Sequence, residues 1–247
     1  MNHTFIHRYE IDSSRPTVGS ALRDIALRVL APAVVLFGLI VGLGFLIVGP
    51  LKDLPWENDL SKSVAAGRTA TMNSITAVWS HIGNTEIVIG VCVVVVALVW
   101  WRTKQWWYAV IPAIAIAAQA SVFVAATTLT DRKRPTVEHL DPAPPTSSYP
   151  SGHVGASTAL YVSFALMATR IQNVVARRVI VVLCIVVPFL VSFARLYRGA
   201  HHVTDVLMGA VNGVVCALLA WGYLRRDAHA VAERPDGADD RRAQSRA

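Results

Sequence analysis

Charge is scarce in this chain. Only 16% of its residues are Asp, Glu, Lys or Arg, where a soluble domain carries about a quarter. Cysteine is scarcer still: Cys92, Cys184 and Cys216 each sit inside an apolar run, a spacing that fits neither a disulfide framework nor a zinc site, so they read as small buried hydrophobes. Acidic residues are outnumbered, 16 against 23 Lys and Arg, for a net charge of +7. The basic residues are nevertheless not gathered on one face or helix, which excludes a nucleic-acid-binding surface. The apolar runs also contain almost no ionisable residues, and this argues against a transport path through them.

What is present is hydrophobic length. Of 247 residues, 54% are hydrophobic and the mean hydropathy is +0.46. Several runs approach the roughly 20 residues that cross a hydrocarbon layer as helix. Val29–Val48, Ile87–Trp101, Trp107–Leu129, Val154–Thr169, Val179–Ala194 and Val206–Leu224 predict six transmembrane helices in one bundle, an all-α membrane protein. The second run is short, so its span extends backwards or tilts little. The first is too long for a signal-peptide core; its Gly38 and Gly42 either allow close helix packing or are a chance pair. Leu60, Val64, Met72, Ile75 and Trp79 recur at helical spacing and predict one interfacial helix between the first two spans. Trp100, Trp101, Trp106 and Trp107 read as an interfacial aromatic belt.

The expected organisation is therefore a polar N-terminal tail (1–27), a six-span domain (28–224) and a disordered charged tail (225–247). Six spans put both termini on one side. The clusters Arg102/Lys104, Arg170/Arg177/Arg178 and Arg225/Arg226 share that side with the N-terminal arginines, so it is expected to be the cytoplasm, with the protein in the plasma (inner) membrane. Segments 49–86, 130–152 and 195–205 then face outward.

Three polar clusters lie at outward span ends: Asp131-Arg132-Lys133-Arg134-Pro135, Pro150-Ser151-Gly152-His153, and Arg195 to Asp205. Ser151 is a good N-cap residue. The free N–H groups at the helix start near Gly152 and His153 favour an anion, and Arg134 and Arg195 each offer a planar fork of donors for phosphate oxygens. His201 and Asp205 are four apart, so on a helix start they share a face. A carboxylate bonded to one imidazole nitrogen leaves the other free to attack, and His153 beside the cradle can protonate a departing oxygen.

These clusters resemble the signature of the type-2 phosphatidate phosphatase superfamily: K-x6-R-P, P-S-G-H and S-R-x5-H-x3-D. Arg134-Pro135, the complete Pro150-Ser151-Gly152-His153, and Arg195, His201 and Asp205 match it in order and spacing across residues 28–224. The family lysine falls on Thr127 and the serine before Arg195 on Ala194; Arg132 or Lys133 are candidates to replace the lysine.

The resemblance implies hydrolysis of a lipid phosphate or diphosphate at the outer membrane face. His201 forms a phosphohistidine, Asp205 orients it, and His153 is the general acid. Arg134, Arg195, Ser151 and Gly152 hold the phosphate, with neither metal nor cofactor. Polyprenyl diphosphate, phosphatidylglycerophosphate and phosphatidate are the candidate substrates. Arg132, Lys133 and Arg198, with His202, are possible further substrate contacts, and these cations tilt the expectation towards a diphosphate. The rival readings are a lipid phosphotransferase of the same superfamily and a non-catalytic transporter or scaffold. The expected partner is a membrane lipid and not nucleic acid; no protein partner is indicated. His3, His81 and His139 are expected to be solvated, and Glu138 and Asp141 to be ordinary loop carboxylates.

Overall fold

The structure is a computed structural model that describes residues 5–7, 15–142, 145–223 and 225–227. Apart from one short antiparallel pairing of β1 (Phe5–His7) with β2 (Arg225–Asp227), its regular elements are helices. The expectation for His3, and that of disorder beyond residue 227, fall outside the described residues.

Five helices are long and apolar enough to cross a membrane: α1 (Val18–Val48), α4 (Thr85–Thr103), α5 (Trp106–Leu129), α7 (Val174–Tyr197) and α8 (Val203–Gly222). The expected fourth span is a 17-residue helix, α6 (Gly152–Ala168). At about 1.5 Å per residue it extends about 25 Å, less than the roughly 30 Å hydrocarbon thickness. It packs against α8, α7, α5 and α4 and buries Ser157, Thr158 and Ser163. A helix enclosed by neighbours needs no uniformly apolar surface.

Several helix ends differ from expectation by a few residues, α7 starting at Val174 in place of Val179; two differences are larger. Helix α1 begins at Val18, nine residues before the expected end of the N-terminal tail, and passes through a π-helical turn at Ala26–Leu30. The single interfacial helix is instead two, α2 (Pro55–Ala66) and α3 (Ala70–Ile82). Gly67 closes the first, and Thr69 starts the second by accepting the Met72 N–H on its hydroxyl, a stop and start that the apolar periodicity does not register.

The core lies where α5, α6 and α8 meet. Small residues on these helices, Ala115, Ala118, Ala159, Ala217 and Ala220, are buried there and let the backbones approach. One close approach is at Gly209 of α8, where an added Cβ would stand 2.5 Å from the Ser151 carbonyl oxygen. That contact, with the Ser151 N–H donated to the Asp205 carbonyl at 2.9 Å, presses the start of α6 against the start of α8. The polar clusters of both helices thereby meet at one end of the bundle.

Candidate active site

A cavity of about 1070 Å³ opens at that end. Its polar wall includes Arg134, Gly152, His153, Arg195 and His201. Its apolar wall, built from α3, α4 and α5, includes Val78, Ile82, Ile89, Ile116, Phe123 and Val124.

His201 lies in the short connection between α7 and α8. Gly199 turns that connection with φ of +74°, a conformation that side chains disfavour. His201 is 4% exposed. Its Nδ1–H donates to the Ser148 carbonyl at 2.8 Å, so in the neutral ring Nε2 carries the lone pair. The expected Asp205 hydrogen bond is not formed: Asp205 Oδ2 stands 3.8 Å from Nδ1. The reason is competition. Oδ2 accepts the His202 N–H at 2.8 Å, and Oδ1 accepts from Arg132 at 2.5 Å. Asp205 thus acts on His201 through its charge and through the backbone it anchors, while the Ser148 carbonyl fixes the tautomer. Burial lowers the pKa of His201; Asp205 opposes that, and the positive charges of Arg195 and Arg134 add to it.

The two arginines of the polar wall are only partly engaged. Arg134 donates one N–H to the Ala200 carbonyl at 2.8 Å. Arg195 donates to Ser80 at 2.8 Å and to Asp141 at 2.7 Å. The Nε of each is buried without a hydrogen-bond partner, as expected of guanidiniums arranged for an anion. Burial lowers the pKa of Arg134, and Asp205 partly restores it.

Arg132 and Arg198 are withdrawn from the cavity, which corrects their reading as substrate contacts. Arg132 is 1% exposed and is clamped between Asp205 and Glu57 at 2.5 Å each, with a further bond to Thr204 at 2.6 Å. Arg198 donates to Asp141, Asn73, Thr76 and Leu140. His202 is buried at the start of α8 and does not line the cavity. Lys133 is exposed and outside the lining. Thr127 bonds the Ser147 carbonyl. No cation among the described lining residues therefore stands in for the missing lysine, and the argument for a diphosphate loses its basis.

Ser151 occupies the N-cap position of α6 but makes no capping bond; its hydroxyl is buried and unpartnered. Gly152 and His153 line the cavity directly.

Several residues at the site carry no signal in the sequence. Asp141, expected to be an ordinary loop carboxylate, bridges Arg195 and Arg198 and accepts from Ser80 at 2.7 Å. Burial opposes its charge, but the bonds from Ser80 and Arg198 and the two arginine charges hold its carboxyl below the usual range. Glu57 accepts from Arg132 and from the N–H and hydroxyl of Thr204. His81, expected to be solvated, is exposed but contacts Asn84, and Asn84 in turn contacts His153. Asp141, Glu57 and Asn84 belong to contacts spanning many residues of chain, where spacing gives no guide. His139 bonds the Pro135 carbonyl, and the carbonyl of Glu138 holds Arg68.

Comparison with known proteins gives the family. The model of the PAP2 superfamily matches residues 106–228. A transmembrane PAP2-type phosphatidylglycerolphosphate phosphatase from Bacillus subtilis has a similar structure, with a TM-score of 0.68 at 22% identity over 77% of this chain and 94% of that one. Aquifex aeolicus LpxE aligns with a TM-score of 0.52 at 17% identity over 66% of this chain and 93% of that one. No curated protein matches in sequence at a significant level.

Proposed function

Since the chain belongs to the PAP2 superfamily of phosphatases, and so is a multi-pass membrane phosphoric ester hydrolase, we propose that it removes a single phosphate from a membrane lipid by way of His201. The observation that carries this reading is the shared cavity. His201, with Nδ1–H committed to Ser148, lines it together with His153, Arg134 and Arg195.

The Nε2 lone pair of His201 attacks phosphorus, forming an N–P bond as the bond from phosphorus to the lipid oxygen breaks. His153 gives a proton to that oxygen. Water then attacks the phosphohistidine, passes a proton to His153 and releases phosphate. Arg134, Arg195 and the N–H groups at the start of α6 balance the phosphoryl charge throughout. The apolar wall supports a substrate that keeps its chain in lipid: Val78, Ile89 and Val124 are each at least half exposed on the bundle surface. Two cavity arginines suit one phosphoryl group.

Release of inorganic phosphate from phosphatidate, phosphatidylglycerophosphate and polyprenyl diphosphate tests the assignment. Faster release from the monoesters is expected, with inhibition by vanadate and indifference to EDTA. No release from any of the three, or loss of activity in EDTA, contradicts it.

The pH profile gives a second check. Protonation of Nε2 removes the nucleophile, and burial disfavours that protonation. The acid limb of kcat/KM should therefore lie below the ordinary histidine value of about 6.5. The same group makes folding stability rise with pH between its lowered native pKa and about 6.5, because there the unfolded chain binds the proton and the native chain does not. An acid limb above about 6.5 contradicts a buried nucleophile.

We further propose that the site faces the extracytoplasmic side of the plasma membrane. This rests on Arg102, Lys104, Arg170, Arg177 and Arg178 lying at helix ends away from the cavity, and on the pairing of the two chain ends. A cysteine at exposed Lys133 should react with an impermeant thiol reagent added to intact cells; protection until lysis reverses the orientation.

A further inference from the structure

Asn84 sits at the N-cap position of α4 with φ −64° and ψ 145°. Asn in that position ordinarily turns its side chain onto the free N–H groups of the first helical turn. Here it makes no such bond. Its Nδ2 instead lies 3.0 Å from His81 Nδ1, and its Oδ1 lies 2.9 Å from Nε2 of His153. The turn carrying it is fixed by packing: a Cβ added at Gly83 would stand 2.8 Å from Val191 of α7 and 3.4 Å from His153 Cβ.

The two contacts settle the hydrogen positions jointly. An amide nitrogen only donates, so His81 Nδ1 is the acceptor. The amide oxygen only accepts, so His153 Nε2 carries a hydrogen. The remaining ring nitrogen, Nδ1, makes no hydrogen bond among the described residues and is the one free to exchange a proton. Asn84 lies outside residues 106–228, the part matched by the family.

We infer that Asn84 is a positioning residue for proton transfer: by holding Nε2–H of His153 it presents Nδ1 to the leaving oxygen. The inference rests on the phosphatase reading above. In the step it serves, the Nδ1–H bond of the imidazolium breaks as its proton bonds to the departing lipid oxygen. The Nε2–H bond to Asn84 persists throughout. His81 contributes by keeping the amide from reversing.

The test exploits leaving-group dependence. An alkyl oxygen, as in a lipid, needs a proton to depart, whereas a nitrophenolate does not. The quantity to compare is kcat/KM, which covers the steps through loss of the leaving group, measured on phosphatidate and on p-nitrophenyl phosphate. Asn84→Ser keeps a good N-cap residue but removes the contact with His153. It should lower kcat/KM on the lipid about 100-fold, the scale of a misplaced reacting group. The aryl ester should change by no more than about threefold, since little proton transfer is needed, and the thermal midpoint in detergent should be unchanged. Asn84→Asp keeps an acceptor for Nε2–H and should recover most of the lipid activity. Equal losses on the two esters, or a loss in Asn84→Asp as large as in Asn84→Ser, assign Asn84 a packing role and overturn the inference. Absence of phosphate release by the unaltered protein removes the phosphatase reading, and this inference with it.

Discussion

Replacing His201 by alanine is expected to lower kcat on the lipid substrate by at least about 10⁴-fold, the scale seen when a nucleophile is removed while the rest of a site stays intact. The reasoning is structural. His201 Nε2 is the imidazole nitrogen left with a lone pair when Nδ1–H is held by the Ser148 carbonyl; of the other two imidazoles lining the cavity, His153 has its Nε2 engaged by Asn84 and His81 has its Nδ1 engaged by the same amide. The fold should survive, because the lost interaction is one hydrogen bond, worth about 1 kcal/mol. Arg134 keeps its bond to the Ala200 carbonyl and Arg195 its bonds to Ser80 and Asp141. Phosphate release assayed beside a thermal melt separates the two effects. Activity within tenfold of the unaltered protein would exclude His201 as nucleophile.

Glu57→Ala is expected to have the largest effect on stability. Glu57 and Arg132 are each 1% exposed, and Asp205 is fully buried. Arg132 spans the two carboxylates at 2.5 Å on either side. Burial disfavours the Arg132 charge, but Asp205 and Glu57 outweigh it and raise its pKa. Removing Glu57 leaves the guanidinium half compensated and deprives the Thr204 N–H and hydroxyl of their acceptor. Breaking a buried ion pair from one side costs about 3–5 kcal/mol. At about 2–4 °C per kcal/mol for a chain of this size, the thermal midpoint should fall by at least roughly 6 °C. Glu57→Gln, which still accepts from Thr204, should lose less. Activity should fall too, since Arg132 holds Asp205 and Asp205 in turn anchors the backbone at His202 and Ser151. A midpoint within about 2 °C of the original contradicts this reading of the network.

The helices were legible because a lipid-facing or enclosed span is a long apolar run whatever its neighbours are. Their ends were less so. The break at Gly67-Arg68-Thr69 interrupts an apolar pattern that continues in register on both sides, and α1 reaches back into a polar segment through a π-helical turn. At the site, His153, Arg195 and His201 were readable because each lies within a few residues of a helix end and at a set spacing from a partner. Arg132 and Arg134 were not distinguishable in that way. They are two apart in an irregular segment, so no helical or strand period says which turns inward, and the choice is made by Glu57, 75 residues away. Asn84 occupies a helix N-cap position, but its diversion to His153 across 69 residues exists only in the folded chain. The Ser148 carbonyl that sets the His201 tautomer has no side-chain identity to read.

The covalent step is the centre of this account, and trapping it is the most direct measurement. Protein mixed with ³²P-labelled lipid phosphate and quenched in alkali within a turnover should retain label, stable to base and released by acid, on the peptide containing His201. The label should be absent from His201→Ala. Turnover without any trapped label, or label on a different residue, would contradict attack by this imidazole on phosphorus.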